Sequence, residues 1–207
     1  MLNFPEIQAF FNKSAMPDTL AAVLQSLYPF TPDELQQITP FFRKKAVAKN
    51  TVLLREGAVC KQFYFVVSGC VRLFFRDEKG SEKTRYVMLQ NHIGTALSSF
   101  SSGKPSTESM EAVCDTELRW ISREDFYRLL EEIPAWRSFY QRILEMAYAF
   151  QNRRIEQLTT QTARQRYAEV LNTQPQLIQH LSNRQLATYL DIREETLSRL
   201  KAANARF

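Results

Sequence analysis

Five side chains able to hydrogen-bond base edges or phosphates fall within seven residues near the end of this 207-residue chain: Arg193, Glu195, Thr196, Ser198 and Arg199. Arginine presents a planar fork of donors, glutamate accepts, and the hydroxyls do either, which is the chemistry of reading nucleic acid. Glu195 and Arg199 stand four residues apart, so a helix would carry both on one face. The alternative is a helical hairpin whose charged face is simply solvated.

Two short amphipathic helices would have to position these groups. Ser182 can N-cap the first, with Gln185 three residues later completing a capping box. A break at Asp191-Ile192-Arg193 separates it from the second helix. Leu186, Leu190, Ile192, Leu197 and Leu200 supply a buried face, and Ala187 is small where the helices must cross closely. That is the helix-turn-helix pattern, in which the second helix lies in a DNA major groove.

Charge is distributed unevenly. Residues 1–133 hold 16 basic and 16 acidic side chains, while residues 134–207 hold 11 basic and 6 acidic, so the whole net charge of +5 lies in the last third. Ten of those 11 basic residues are arginine, the side chain suited to phosphate and guanine. A neutral front and a basic back suggest sensing in one part and polyanion binding in the other. A hydrophobic content of 44% is ordinary for a soluble globular protein, and no apolar run is long enough to span a membrane. The N-terminus does not read as a secretory signal. Cys60, Cys70 and Cys114 are odd in number and widely spaced, as in a reducing compartment. A cytoplasmic location is the expectation.

Upstream, the first 40 residues read as helical, with apolar positions around Phe10 and Phe11 and from Leu20 to Leu27, then a helix opening at Thr31-Pro32. From about Phe42 to Ser122 the pattern becomes short strands: 51–54, 63–67, 71–75, 84–89 and 118–121. Turn signals at Glu56-Gly57, Ser68-Gly69, Asp77 to Gly80 and Gly103 to Pro105 separate them, which suggests a barrel or jelly roll. Ser122 caps a helix running to Glu132. After Pro134 comes the longest helical pattern, to about residue 159, roughly 37 Å at 1.5 Å per residue. Trp136, Phe139, Ile143, Met146 and Phe150 recur at spacings of 3, 4, 3 and 4, a two-heptad seam. The reading favours a dimer interface; a helix packed on its own barrel is the other. Beyond Phe150 the seam breaks, and Ile155 and Leu158 suggest a shifted face.

The order of jelly roll, seam helix and helix-turn-helix resembles the cyclic-AMP receptor/fumarate-nitrate regulator (Crp/Fnr) family of bacterial transcription factors, from about residue 30 onward. Leu54-Arg55-Glu56-Gly57 followed by Phe63 to Leu73 looks like the family's barrel signature. Asp191 to Arg199, with its Glu-Thr-x-Ser-Arg core, looks like its recognition helix. The resemblance implies an α+β chain with three parts: a sensor barrel over 1–133, a double-stranded β-helix with N-terminal helices; a dimerisation helix over 134–160; and a helix-turn-helix DNA-binding domain over 161–207. It also implies that Glu195 accepts from a cytosine amino group and Arg199 donates to guanine. Ser182 and Asn183 would hold a phosphate, and Lys201 completes the DNA-contacting set. A homodimer would meet double-stranded DNA at half-sites about 34–36 Å apart. RNA polymerase is a further partner the resemblance allows.

Two departures stand out. Cyclic-AMP binders of the family grip ribose with Gly-Glu and phosphate with Arg-Ser or Arg-Thr. Here Thr95 follows Gly94, and the Arg-Ser site falls at Ser106-Thr107. A buried phosphate without arginine lacks its main charge-assisted partner, which argues against a cyclic nucleotide. Gly94, Thr95, Ser106 and Thr107 are then candidates for a pocket with an unknown effector. The family's β wing finds no room after Phe207, so DNA affinity is expected to rest more on dimerisation.

No enzyme, catalytic residue, metal or cofactor is expected. Residues 1–59 hold no cysteine for an iron–sulfur cluster, His92 and His180 lack metal-ligand neighbours, and no hydrolase, phosphate-loop or dinucleotide fingerprint occurs. The competing class is a dimeric jelly-roll interaction module whose helix pair contacts protein instead of DNA.

Overall fold

The structure, a computed structural model, describes residues 19–204; the helical expectation around Phe10 and Phe11 lies outside the described residues. Helix α1 (Leu20–Leu27) is capped by the Thr19 hydroxyl, and α2 (Pro32–Ile38) opens on a capping box formed by Thr31 and Glu34. A 3-10 turn at Thr39–Phe41 leads into eight strands: β1 (Arg43–Val47), β2 (Val52–Leu54), β3 (Gln62–Ser68), β4 (Val71–Arg76), β5 (Glu82–Met88), β6 (Ile93–Gly94), β7 (Ser109–Ala112) and β8 (Thr116–Ser122). A short helix, α3 (Leu97–Ser102), sits between β6 and β7. The C-terminal half is helical: α4 (Arg123–Glu132), α5 (Pro134–Thr160), α6 (Ala163–Thr173), α7 (Pro175–His180), α8 (Asn183–Leu190) and α9 (Glu194–Asn204).

The strands form two antiparallel sheets, ordered β1-β8-β3-β6 and β2-β7-β4-β5. The chain changes sheet at every connection except β4 to β5, which is the strand exchange of a jelly roll. Gly69 makes the β3–β4 corner possible. Its φ is +90°, and a Cβ there would lie 2.5 Å from the Asp115 carbonyl oxygen, so both the backbone angle and the space exclude a side chain. Leu73, Met88 and Met110 are wholly buried in the barrel core. Phe30, Phe126, Trp136 and Phe139 form an aromatic cluster where α4 and α5 meet the barrel, with ring centroids 4.7–6.2 Å apart, and edge and tilted geometries favour such packing.

Strands β1, β6 and β7 were not among the expected segments. Arg43-Lys44-Lys45 is too charged to read as a strand, yet among the described residues β1 is an edge that pairs only with β8, and charge on an edge blocks further strand addition. In β7, Glu111 stands opposite Arg72, so its charge is balanced across the ladder.

One irregularity, in β5, positions both a cavity wall and the contacts to the C-terminal helices. In the β4–β5 register, Leu73 faces Tyr86 and Phe74 faces Thr84, which leaves Arg85 as an extra residue. A bulge of this kind reverses the in–out alternation on the strand that carries it. Thr84 and Val87 therefore face the C-terminal helices, while Arg85 and Tyr86 border a cavity beside α5. Lys83, exposed near the strand's start, reaches Asp191 by the length of its side chain.

A second apolar cluster joins the barrel to those helices. Cys70, Val87, Leu89 and Val113 pack with Leu186, Ala187, Tyr189 and Leu190. Cys60 and Cys70 are buried, Cys114 is half-buried, and all three are free thiols. Among the described residues, no helix is long and apolar enough to cross a membrane.

Candidate nucleic-acid interface and barrel cavity

Helix α8 begins at Ser182, whose hydroxyl accepts from Gln185 N–H while the Gln185 carboxamide oxygen accepts from Ser182 N–H, at 3.2 and 3.0 Å. The helix ends at Asp191, which adopts the left-handed conformation with φ 52°; aspartate tolerates this better than most residues. The Ile192 N–H then returns to the Ala187 carbonyl at 3.0 Å, which turns the chain into α9. Leu186, Ala187, Leu190 and Leu197 are buried where the helices cross.

That packing directs the polar residues of α9 outward. Arg193, Glu195, Ser198 and Arg199 are exposed. Thr196 is half-buried, and its hydroxyl accepts a long 3.4 Å contact from Arg199. Lys201 is half-buried, with its ammonium 2.6 Å from Asn183 Oδ1. Lys201 and Asn183 thus hold each other across the helix pair, and the Ser182 hydroxyl is occupied as a cap. The outward set is narrower than the sequence-based one.

The pair is docked on the barrel through α8 and the turn. Thr84 and Thr188 share a hydroxyl–hydroxyl hydrogen bond of 2.8 Å, and Lys83 Nζ lies 2.7 Å from Asp191 Oδ1. The Lys83 hydrogen bond holds the Asp191 carboxyl below its usual pKa, with burial opposing it. From α5, Arg154 donates to the Tyr189 carbonyl and lies over the Tyr189 ring at 4.6 Å. From α6, Arg166 donates to the Leu190 carbonyl at 2.9 Å and the Gln161 carbonyl at 2.5 Å. These two arginines are spent on orphan carbonyls at helix ends, so they are structural contributors to the basic excess.

The barrel cavity measures about 540 Å³. Phe63, Ile93 and Leu97 line it from the barrel, Met146 and Phe150 from α5. Gly94, Thr95 and Thr107 are at its wall, as the sequence suggested. Ser106 is not: its hydroxyl donates to the Glu108 carbonyl and accepts from Glu108 N–H at 2.8 and 3.1 Å, stapling its own turn. Thr95 donates to the Gln62 carbonyl at 2.8 Å, so its proton is already used.

The cavity's charged groups are absent from the sequence-based set. Arg85 and Glu108 form a two-pronged pair, Nε to Oε2 at 2.7 Å and a terminal nitrogen to Oε1 at 3.0 Å. Neither is legible from spacing, because Arg85 reaches the wall only through the bulge. Among the described residues, no group of three or more His, Cys, Asp or Glu could hold a metal ion.

The seam of α5 requires correction. Trp136 and Phe139 are wholly buried, and Met146 is nearly so, all within this chain's own core. Ile143 packs against the same core, and Phe150 meets the Tyr86 ring edge-on at 5.0 Å. The expected dimer seam is therefore covered by its own barrel. A second stripe is left open: Leu144, Tyr148, Ile155 and Leu158 are 38%, 71%, 59% and 40% exposed.

Residues 44–133 match the family model for the cyclic nucleotide-binding domain. The cyclic AMP receptor protein of Thermus thermophilus is 28% identical over 103 residues, half of this chain and 47% of that relative. Over residues 44–133 the barrel matches a cyclic nucleotide-binding domain. The match thus spans about half the length of the curated relative. Whole-chain similarity is structural. The catabolite activator protein of Thermus thermophilus aligns at TM-score 0.57 and 24% identity, covering 89% of this chain and 87% of its own. The c-di-GMP-responsive regulator CLP of Xanthomonas campestris aligns at TM-score 0.66 and 17% identity, covering 85% and 93%. FixK2 of Bradyrhizobium japonicum aligns at 0.65 and 20%, covering 78% and 83%. These likenesses confirm the Crp/Fnr fold.

Proposed function

We propose that this chain is a DNA-binding transcription regulator of the Crp/Fnr type that acts as a homodimer on a two-fold symmetric site. The observation that carries the reading is the division of α9. Leu197 is buried, while Arg193, Glu195, Ser198 and Arg199 are presented outward, with no ion pair among the described residues holding them. The Glu195 carboxylate and Arg199 guanidinium, one helical turn apart, suit a cytosine amino group and a guanine edge. Arg193 and Ser198 suit phosphates.

Homodimerisation rests on the open stripe of α5. With Gln151 included, Leu144, Tyr148, Ile155 and Leu158 follow the 4, 3, 4, 3 spacing of a coiled-coil seam. Two copies of α5 pairing there would bury four large apolar side chains per chain and set two recognition helices about one DNA turn apart. In this reading the barrel is a sensor whose small-molecule effector modulates the dimer.

Selection from random duplexes and titration of the recovered sequence test the reading. The expected result is a palindrome bound with a steep inverse dependence on salt. Recovery of no enriched sequence, or binding unaffected by Glu195→Ala and Arg199→Ala together, would refute it.

A further inference from the structure

We infer that the barrel cavity takes an uncharged, predominantly apolar molecule, and that the Arg85–Glu108 pair excludes anions, nucleotides included. The proposal rests on the sensor reading of the barrel. Arg85 is the one basic side chain among the cavity's described lining residues. Its guanidinium is committed at two nitrogens to both oxygens of Glu108, whose side chain is 7% exposed. The wall is thus neutral in sum. An incoming phosphate or carboxylate would have to leave water for an apolar chamber without a spare cation, or break a buried two-pronged pair to recruit one. A cation meets the same obstacle in reverse.

What remains favourable is burial of hydrocarbon. A volume of about 540 Å³ lies within the range of drug-sized sites. Phe63, Tyr86, Ile93 and Leu97 offer aromatic and branched surface. Polar specificity is sparse: beside the charged pair and the committed Thr95, the wall offers Ser98, Thr107, Gln151 and the tyrosines Tyr86 and Tyr148, so a few neutral oxygen or nitrogen atoms on the ligand are enough. Leu144 and Tyr148 belong both to the cavity lining and to the exposed stripe of α5. The ligand therefore touches the residues assigned to the second copy.

Two probes with one skeleton test this on the full chain: uncharged N-phenyl-1-naphthylamine and its sulfonate, 8-anilinonaphthalene-1-sulfonate. The neutral probe is expected to bind one per chain at least tenfold more tightly than the sulfonate, and 1 mM cyclic AMP is expected not to displace it. Ala147→Trp on α5 and Leu97→Trp on α3 fill the cavity from two different elements. Each, once shown by circular dichroism to be folded, weakens the neutral probe at least tenfold. Glu108→Gln frees Arg85 and narrows the preference by raising sulfonate affinity. The proposal is overturned if the sulfonate binds as well as the neutral probe, if cyclic AMP competes, or if every folded filler variant leaves binding unchanged. It is also overturned if the wild type binds no neutral probe. DNA binding is scored separately: its loss with probe binding intact refutes the regulator reading and leaves the ligand class standing.

Discussion

Replacing Trp136 by alanine and Tyr148 by glutamate, in separate variants, distinguishes the two faces of α5. Trp136 is wholly buried, touches the rings of Phe30, Phe42, Phe126 and Phe139, and donates its indole N–H to the Phe126 carbonyl at 3.2 Å. Truncating a buried Trp costs about 3–5 kcal/mol, and the lost hydrogen bond adds about 1 kcal/mol. A total of roughly 5 kcal/mol is a large share of the ~5–15 kcal/mol that holds a domain folded. With a urea slope of about 2 kcal/mol per molar, the midpoint falls by about 2.5 M. Tyr148 is 71% exposed, so Tyr148→Glu changes the stability of the lone chain by no more than about 0.5 kcal/mol. It does place a charge in the centre of the stripe, where a facing copy would bury it. Urea unfolding is monitored at one low chain concentration, because dimerisation itself contributes stability by mass action, and sedimentation velocity is run in parallel. The expected pattern is a destabilised Trp136→Ala and a monomeric, normally stable Tyr148→Glu. If Trp136→Ala unfolds at the wild-type midpoint yet sediments as a monomer, the assignment of the two faces is reversed and the reasoning fails.

Particular contacts give three further outcomes. Glu195→Ala and Arg199→Ala each lose about 1–3 kcal/mol of discrimination at one base pair, measured by competition with singly substituted duplexes; equal losses on all sequences would point to phosphate contacts instead. The Asp191 carboxyl is held low chiefly by the hydrogen bond from Lys83, so its contribution is complete above the unfolded carboxyl pKa of about 3.9 and fades as pH falls through the lower folded value. The melting temperatures of wild type and Lys83→Ala should therefore differ slightly at pH 6 and converge on acidification, the pair being half exposed. At Gly69, alanine would meet a backbone oxygen at 2.5 Å with φ +90°, a strain of about 1–3 kcal/mol from the angle alone; an unchanged urea midpoint would contradict this.

Local signals are legible in the sequence. Capping boxes at Thr31–Glu34 and Ser182–Gln185, and the Ser122 cap, are set by neighbours three residues apart, so spacing alone reveals them. The Asp191 turn belongs to the same class. Features that depend on residues far apart in the chain are not legible in this way. The spacing of Trp136 to Phe150 correctly marks a buried face, but periodicity does not say whether the face is covered by another copy or by the chain's own barrel. Ile155 and Leu158 already mark the shifted stripe, whose upstream members Leu144 and Tyr148 are masked by the stronger aromatic pattern. Counting back from β8 places Ser106 in the pocket, and counting does not show that its hydroxyl folds onto Glu108. The Arg85–Glu108 pair spans 23 positions and depends on a bulge that leaves no signature in the string Lys83-Thr84-Arg85-Tyr86.

That bulge gives β5 two roles within four consecutive residues. Arg85 and Tyr86 border the cavity, while Lys83 and Thr84 hold Asp191 and Thr188 of the helix pair. Val87 then returns to the face shared with those helices. A shift of β5 on occupation of the cavity would be felt directly by the turn that aims α9, with no intervening element to absorb it. Coupling by this route needs an element with two arrangements that both sites bias, and a strand held at a bulge is a candidate because its register there is already irregular. Deleting Arg85, the extra residue, together with Glu108→Gln so that no buried carboxylate is left unpaired, restores regular pairing and is expected to leave the barrel folded while uncoupling the neutral probe from DNA affinity. If the DNA affinity of this deletion variant still responds to the probe as in wild type, the signal runs through α5 instead.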